Sequence, residues 1–357
     1  VKILVKVALD STSGYGNDGI GLVRALKALG AKVYIHPVGV TPPIPKDVAE
    51  LLTIPYEPPF DAMIVHLDPL SLKLDTGVHR VVARTIAWSM WEWESLNVPG
   101  KTRLRKAMKD YDVFVAYDEV TAKAVEPHLP KRILRHTLQG GYWSEDWKYM
   151  DRDWFSTEEP FRYIMVGQLH QRKDPFAAIW AFNQLKAEHG DEFNAELHLK
   201  TNIMGLHPAI ADAYEDVYVH YGYWPKAELL EFYRKAHVLL APSRGEGKNL
   251  PALEAASSGM AVIATNWGGH TVWLNDAYAY PLNYSLTDSL GGVQAVADRE
   301  HLKELMWHVY THREEAKRKG ELASRTLPPM CDWTVIARKM VEIIATTPSH
   351  RMGDTLG

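Results

Sequence analysis

Two carboxylates, Glu246 and Glu254, stand with seven residues between them in the stretch 238–269, VLLAPSRGEGKNLPALEAASSGMAVIATNWGG. The runs 238–241 and 261–265 read as strands, flanking a polar glycine-containing turn and a helix over 250–258. This places Glu246 in the loop leaving the first strand. Glu254 falls one turn into the helix, on the side that looks back over that loop. A strand, a tight loop and a helix N-terminus form a cradle for a phosphate at the carboxyl edge of a parallel sheet. Carboxylates beside such a cradle can accept hydrogen bonds from ribose and sugar hydroxyls. Upstream, Gly167-Gln168-Leu169-His170-Gln171-Arg172-Lys173-Asp174 lies between a strand and a helix that starts near Pro175. Arg172 and Lys173 oppose the helix dipole there, so an anionic ligand explains them better than solvent does.

These residues need a scaffold, and the chain supplies a recurrent one. Short apolar runs alternate with helical patterns about every 25 to 30 residues, the rhythm of stacked βαβ units. Strands are expected at 3–9, 32–36, 62–66, 84–88, 113–117 and 132–138. A helix at about 18–29 has apolar residues at helical spacing and Gly30 just past its end. The Trp-, Gly- and charge-rich stretch 139–160 interrupts the rhythm and reads as an inter-domain linker. Strands resume at 163–166, 196–199, 217–221, 238–241 and 261–265, and long helices follow from about Arg299. The last helix, roughly 333–344, is amphipathic. Domains are therefore expected at 1–150 and 151–330, with 331–357 a terminal helix and tail.

Composition sets outer bounds. The chain has 357 residues, 46% hydrophobic and 24% charged, with a net charge of −4. This is ordinary globular composition, and it offers no whole-molecule attraction to nucleic acid or anionic membrane. Cys331 is the sole cysteine, which excludes an intrachain disulfide and a cysteine zinc cluster. The start, VKILVKVAL, is too short and too interrupted by Lys for a signal peptide. No run approaches the roughly 18 apolar residues of a membrane span. A cytoplasmic protein is the expectation.

The block 238–269, with Pro242-Ser243 before the carboxylates and Trp267-Gly268-Gly269 after them, resembles the donor-sugar motif of retaining GT-B glycosyltransferases, in particular glycosyltransferase family four. Segment 167–174 resembles that family's Gly-Arg-Leu…Lys-Gly loop, whose cations hold the donor diphosphate. Lys173 matches the family Lys, while Gln168 stands where Arg is usual and Asp174 where Gly is usual, with Arg172 as the replacement cation. Lys248 and Asn249 stand where Phe and Gly are common; Asn249 could cap the helix and still offer its backbone N–H. Ser13-Gly14-Tyr15-Gly16 is similar to the family's glycine turn after the first strand. Its glycines either let backbone amides approach a ligand or simply make a tight turn.

The resemblance implies an α/β GT-B fold, with two Rossmann-like doubly wound domains facing across a cleft and the C-terminal helix packing back on the first domain. It also implies transfer of a sugar from a UDP- or GDP-linked donor to an acceptor, with retention and without metal or cofactor. Catalytic roles then fall to Glu246, Arg172 and Lys173. Donor-binding roles fall to Gly14, Tyr15, Gly16, Gly167, Gln168, Lys248, Asn249, Leu250 and Glu254, with the last on the ribose. His66, Trp91 and Glu92 are acceptor-side candidates, although His66 reads more readily as a packed histidine and Trp91 equally as a core residue. A small molecule or glycan is the favoured acceptor; a lipid, a protein or a nucleic-acid base stays open. A GT-B sugar-nucleotide epimerase and a catalytically silent binding module are the alternatives. Asp151-Arg152-Asp153 has the spacing of a metal-binding pair but sits away from a strand end. Residues 101–109 hold five basic residues and no acid, and are expected to form a surface helix with its apolar stripe turned inward.

Overall fold

The computed structural model describes residues 1–10, 13–75, 77–202, 214–289 and 292–349. The chain forms two compact units. The first comprises 1–143, 290–292 and 331–357, and the second 144–289 and 293–330. In the first unit the elements run β1 (Lys2–Asp10), α1 (Gly14–Ala28), β2 (Lys32–Thr41), a short α2 (Lys46–Ala49), β3 (Ala62–His66), β4 (Thr85–Ser89), α3 (Val98–Ala107), β5 (Val113–Ala116), α4 (Glu119–Val125) and β6 (Leu134–Thr137). The strands form one parallel sheet in the order β2-β1-β3-β4-β5-β6. Strands buried on both faces read as continuous apolar runs, which is why β3, β4 and β5 were legible.

Helix α1 begins at Gly14, four residues earlier than its apolar periodicity predicts. Ser13 caps it, accepting from the Gly16 amide at 3.1 Å. Gly14, Tyr15 and Gly16 are therefore the first helical turn, with their amides along the helix N-terminus, rather than a separate loop. A Cβ on Gly16 would lie 2.1 Å from the Asp10 carbonyl, so glycine is needed for α1 to sit this close to β1.

In the second unit the elements are β7 (Phe161–Val166), α5 (Pro175–His189), β8 (Ala195–Thr201), β9 (Val217–Tyr221), α6 (Lys226–Lys235), β10 (Val238–Ala241), α7 (Leu250–Ser257), β11 (Ala261–Thr265), β12 (Tyr280–Leu282), β13 (Tyr284–Ser289), β14 (Gly292–Ala297), α8 (Arg299–Thr311) and α9 (Arg313–Thr326). The sheet is parallel, in the order β12-β11-β10-β7-β8-β9, while β13 and β14 form a small sheet of their own. The order reverses between β7 and β10. In open α/β sheets ligands bind beyond the carboxyl ends of the strands at such a switch point. The stretch expected to be a linker is packed: Trp154 lies in the second unit's core, and the Met150 amide bonds the Ser258 carbonyl at 2.9 Å. Arg152 is buried against Ser258, and Asp153 accepts from the amides of Phe155 and Ser156, so this triplet serves the local chain path.

A short α10 (Pro328–Cys331) leads into α11 (Trp333–Thr346), which packs on α1 of the first unit through Trp333, Ile336, Met340 and Ile343. Trp333 fills the space left by Gly21 and Gly141, where a Cβ would lie 2.1 and 2.9 Å from its atoms. Trp333→Ala should destabilise this unit by about 3–5 kcal/mol, the cost of emptying an aromatic core position. A thermal melt in which the first unit's transition does not move would refute that. Helix α3 packs Leu104 inward with Met108 and Tyr111 following it, while Arg103, Arg105, Lys106 and Lys109 are exposed. Among the described residues no helix is long and apolar enough to cross a membrane.

Candidate active site

The two strands flanking the second unit's switch point carry the two loops that hold the charged candidates. Beyond β7, Gly167 turns the chain at φ 139°, and a 3-10 turn over Gln171–Lys173 leads to α5. Beyond β10, residues 242–249 lead to α7. The loops are joined by a bond from the Arg244 amide to the Arg172 carbonyl at 2.7 Å. Glu246, only 4% exposed, sits between the cations, its Oε1 2.6 Å from Lys173 Nζ and its Oε2 3.2 Å from Arg172 Nη1. Burial alone would push this carboxyl upward. Lys173 and Arg172 overcome that and hold it at about 2, so Glu246 is a carboxylate at every physiological pH.

Both departures from glycine in these loops fall on left-handed backbone. Asp174 has φ 46° and Asn249 has φ 59°. Asp and Asn tolerate that region better than other residues with a Cβ. Asp174 caps α5, accepting from the Ala177 amide, and Arg244 donates to its Oδ2 from Nε and Nη2 at 3.1 and 2.9 Å. The Asn249 side chain does not cap α7, contrary to expectation. Its Nδ2 instead donates to His270 Nε2 at 2.9 Å, which assigns the His270 proton to Nδ1, 2.8 Å from the Thr265 carbonyl. Burial lowers the His270 pKa and keeps the ring neutral despite Glu246. Trp267-Gly268-Gly269 supports this loop from below: a Cβ on Gly269 would lie 2.1 Å from the Gly247 carbonyl.

Glu254 occupies a second, separate environment on α7, half-buried beside Trp147 and Tyr233, with Lys248, Lys226 and Asp146 around it. Burial raises its pKa to about 8, and the lysines only partly oppose that. Leu250 opens α7, and Lys248 is buried. Gln168 is exposed, while His170 accepts from the Arg172 amide at 3.3 Å and so shapes the cation turn. Among the described residues no group of His, Cys, Asp and Glu is arranged to hold a metal ion. One unit thus brings together Arg172, Lys173, Glu246, Lys248, Asn249 and Gly167 on two loops, with Glu254 on the adjoining helix. Sequence reading missed His270 and Arg244, whose partners lie 21 and 70 residues away and leave no local pattern.

In the first unit, His66 is fully buried. Its Nδ1 lies 3.0 Å from the Trp88 carbonyl and its Nε2 3.2 Å from the Tyr117 hydroxyl, which donates to Asp18 at 2.6 Å. His66 is thus the packed, bonded histidine and does not line an open surface. Tyr15 packs on its ring and donates to the Met90 carbonyl at 2.8 Å. Trp91 and Glu92, just beyond β4, are half-buried.

Residues 160–282 match the family Glycosyl transferases group 1. No curated protein sequence matches the chain. Its fold is similar to that of sucrose-phosphate synthase from Thermosynechococcus elongatus, at 15% identity over 96% of this chain and 98% of that one, with a TM-score of 0.70. WaaG, a glycosyltransferase involved in lipopolysaccharide biosynthesis, matches at 16% over 97% and 100%, with a TM-score of 0.67. The Anabaena protein HepE, solved in complex with UDP-glucose, matches at 12% over 97% and 99%, with a TM-score of 0.65. Two six-stranded parallel Rossmann-like sheets in one chain, like these neighbours, make the fold GT-B. The second unit carries the glycosyltransferase sequence segment.

Proposed function

We propose that this protein is a retaining glycosyltransferase that takes a UDP- or GDP-linked sugar on its second unit. The observation that carries this is the buried Glu246 held between Arg172 and Lys173 at the switch point, inside the family-matched segment. The cations receive the donor diphosphate, Glu246 accepts the sugar's hydroxyls, and Glu254 accepts the ribose hydroxyls. Gly167, Asn249 and Leu250 offer backbone to the phosphates.

The reaction breaks the bond between the anomeric carbon and the distal phosphate oxygen, and forms a bond from that carbon to the acceptor oxygen on the same face. The acceptor's proton passes to the departing phosphate. Arg172 and Lys173 stabilise the charge that grows there, so the protein supplies a fixed electrostatic environment in place of a metal. A carboxylate paired with two cations and titrating at about 2 is weakly basic and a poor nucleophile, which favours front-face transfer over a covalent intermediate on Glu246.

A panel of UDP- and GDP-linked sugars, followed for nucleoside diphosphate release and for the anomeric configuration of any product, tests this. Slow release to water and retained configuration are expected. Sugar interconversion without diphosphate release would make the protein an epimerase, and binding without turnover a silent module.

A further inference from the structure

Beyond β4 the chain reads Trp91-Glu92-Trp93-Glu94, two aromatic residues alternating with two carboxylates, all half-buried. The Trp91 and Trp93 rings pack with centroids 4.9 Å apart. Trp91 is the inner member, against the first unit's core, and its Nε1 donates to the Ser95 carbonyl at 3.1 Å. Its backbone is clamped on both sides by Thr121, whose hydroxyl accepts from the Trp91 amide at 3.0 Å and reaches the Trp91 carbonyl at 3.3 Å. Thr121 is itself fixed at the start of α4 by the Asp118 cap. Tyr15 ties the preceding Met90 to the first turn of α1. The segment is therefore a braced platform at the carboxyl edge of the sheet, where a doubly wound unit binds its ligands.

We propose that this platform is the acceptor subsite and that it takes a neutral carbohydrate, with a sugar ring stacked on Trp93 and its hydroxyls received by Glu92 and Glu94. The proposal rests on the glycosyltransferase function argued above and names its acceptor class. A pyranose presents an apolar face of C–H groups ringed by hydroxyl donors. An indole plane flanked by carboxylates complements both features. The same carboxylates repel a phosphate, which disfavours anionic acceptors such as nucleic acid or acidic lipid headgroups. Lys123 lies 3.7 Å from Glu94, but it is largely exposed and its attraction is screened.

The test uses the full chain with methyl α-glucoside, methyl α-galactoside, methyl α-mannoside and maltose as neutral probes and glucose 1-phosphate as the anionic one. Saturation-transfer NMR should show at least one neutral sugar receiving magnetisation on its ring protons. Trp93→Ala should weaken that binding roughly tenfold, as expected for truncating an aromatic anchor, while Trp93→Phe retains most of it. Glu94→Lys changes only a partly exposed charge and should shift preference toward glucose 1-phosphate. UDP and GDP affinity should stay constant across all three variants. The proposal fails if no neutral sugar binds, if Trp93→Ala and Glu94→Lys leave the profile unchanged, or if the wild type prefers glucose 1-phosphate. Intact UDP or GDP binding in those cases confines the failure to the acceptor subsite. Loss of nucleotide binding in the wild type overturns the glycosyltransferase function and the acceptor with it.

Discussion

Lys173→Ala should lower turnover by about 10²–10³-fold while raising the donor KM far less. The asymmetry follows from where the charge appears. In the bound donor the diphosphate's negative charge is spread over both phosphates. As the glycosidic bond breaks, charge concentrates on the departing oxygen, and a cation fixed beside it is worth most at that moment. Lys173 is already held in place, its ammonium 2.6 Å from Glu246, so little reorganisation is needed during the reaction. Removing it leaves Arg172 as the nearer of the remaining cations to a buried carboxylate. A melting curve beside the kinetics separates lost catalysis from lost fold. A raised donor KM with unchanged turnover would mean that Lys173 only binds.

Glu254 should make nucleoside diphosphate binding depend on pH around neutrality, where an ordinary surface carboxylate is already ionised and adds no dependence. With a pKa of about 8 in the free protein, it carries a proton at pH 7. A ribose diol that donates two hydrogen bonds requires the carboxylate, so binding must expel that proton. Affinity should therefore rise with pH, by up to about tenfold per unit below 8, and level off above it. Calorimetry in buffers of differing ionisation enthalpy should register proton release. Glu254→Gln should abolish this part of the dependence, leaving only the diphosphate's own titration, and weaken binding at pH 8 by about 1.5–3 kcal/mol. Equal slopes for wild type and variant would remove Glu254 from the ribose. The same shift affects the free fold. Its folded pKa is raised, so Glu254's contribution to stability is complete below the unfolded value and is lost as pH rises through about 8.

Much of the scaffold was legible because buried parallel strands must be apolar over their whole length. The runs at 62–66, 238–241 and 261–265 match the observed strands, and Arg299 and Trp333 open the helices expected there. Strands β13 and β14 were not foreseen: Tyr284–Ser289 is exposed throughout and has no apolar run to signal it. The start of α1 was misplaced because its first turn is glycine and tyrosine, which carry no helical periodicity; the capping serine was the available signal. In the second unit, motif and spacing identified Arg172, Lys173 and Glu246, but could not show that the carboxylate is paired with both cations. That pairing depends on two loops 74 residues apart meeting at a reversal of strand order. For His66 the outcome turned on burial, which a strand-terminal position does not reveal.

The two left-handed residues have a consequence for how a nucleotide arrives. Asp174 is held by the Arg244 fork and Asn249 by His270, so both loops are pinned from within the unit rather than by a ligand. Conformational entropy that a mobile loop would lose during association has already been given up on folding. If these loops take the nucleotide as proposed, encounter should be limited by diffusion and orientation, not by a slow ordering step. A stopped-flow trace of nucleotide binding to this unit should show one phase whose rate grows linearly with concentration, with no plateau from loop closure.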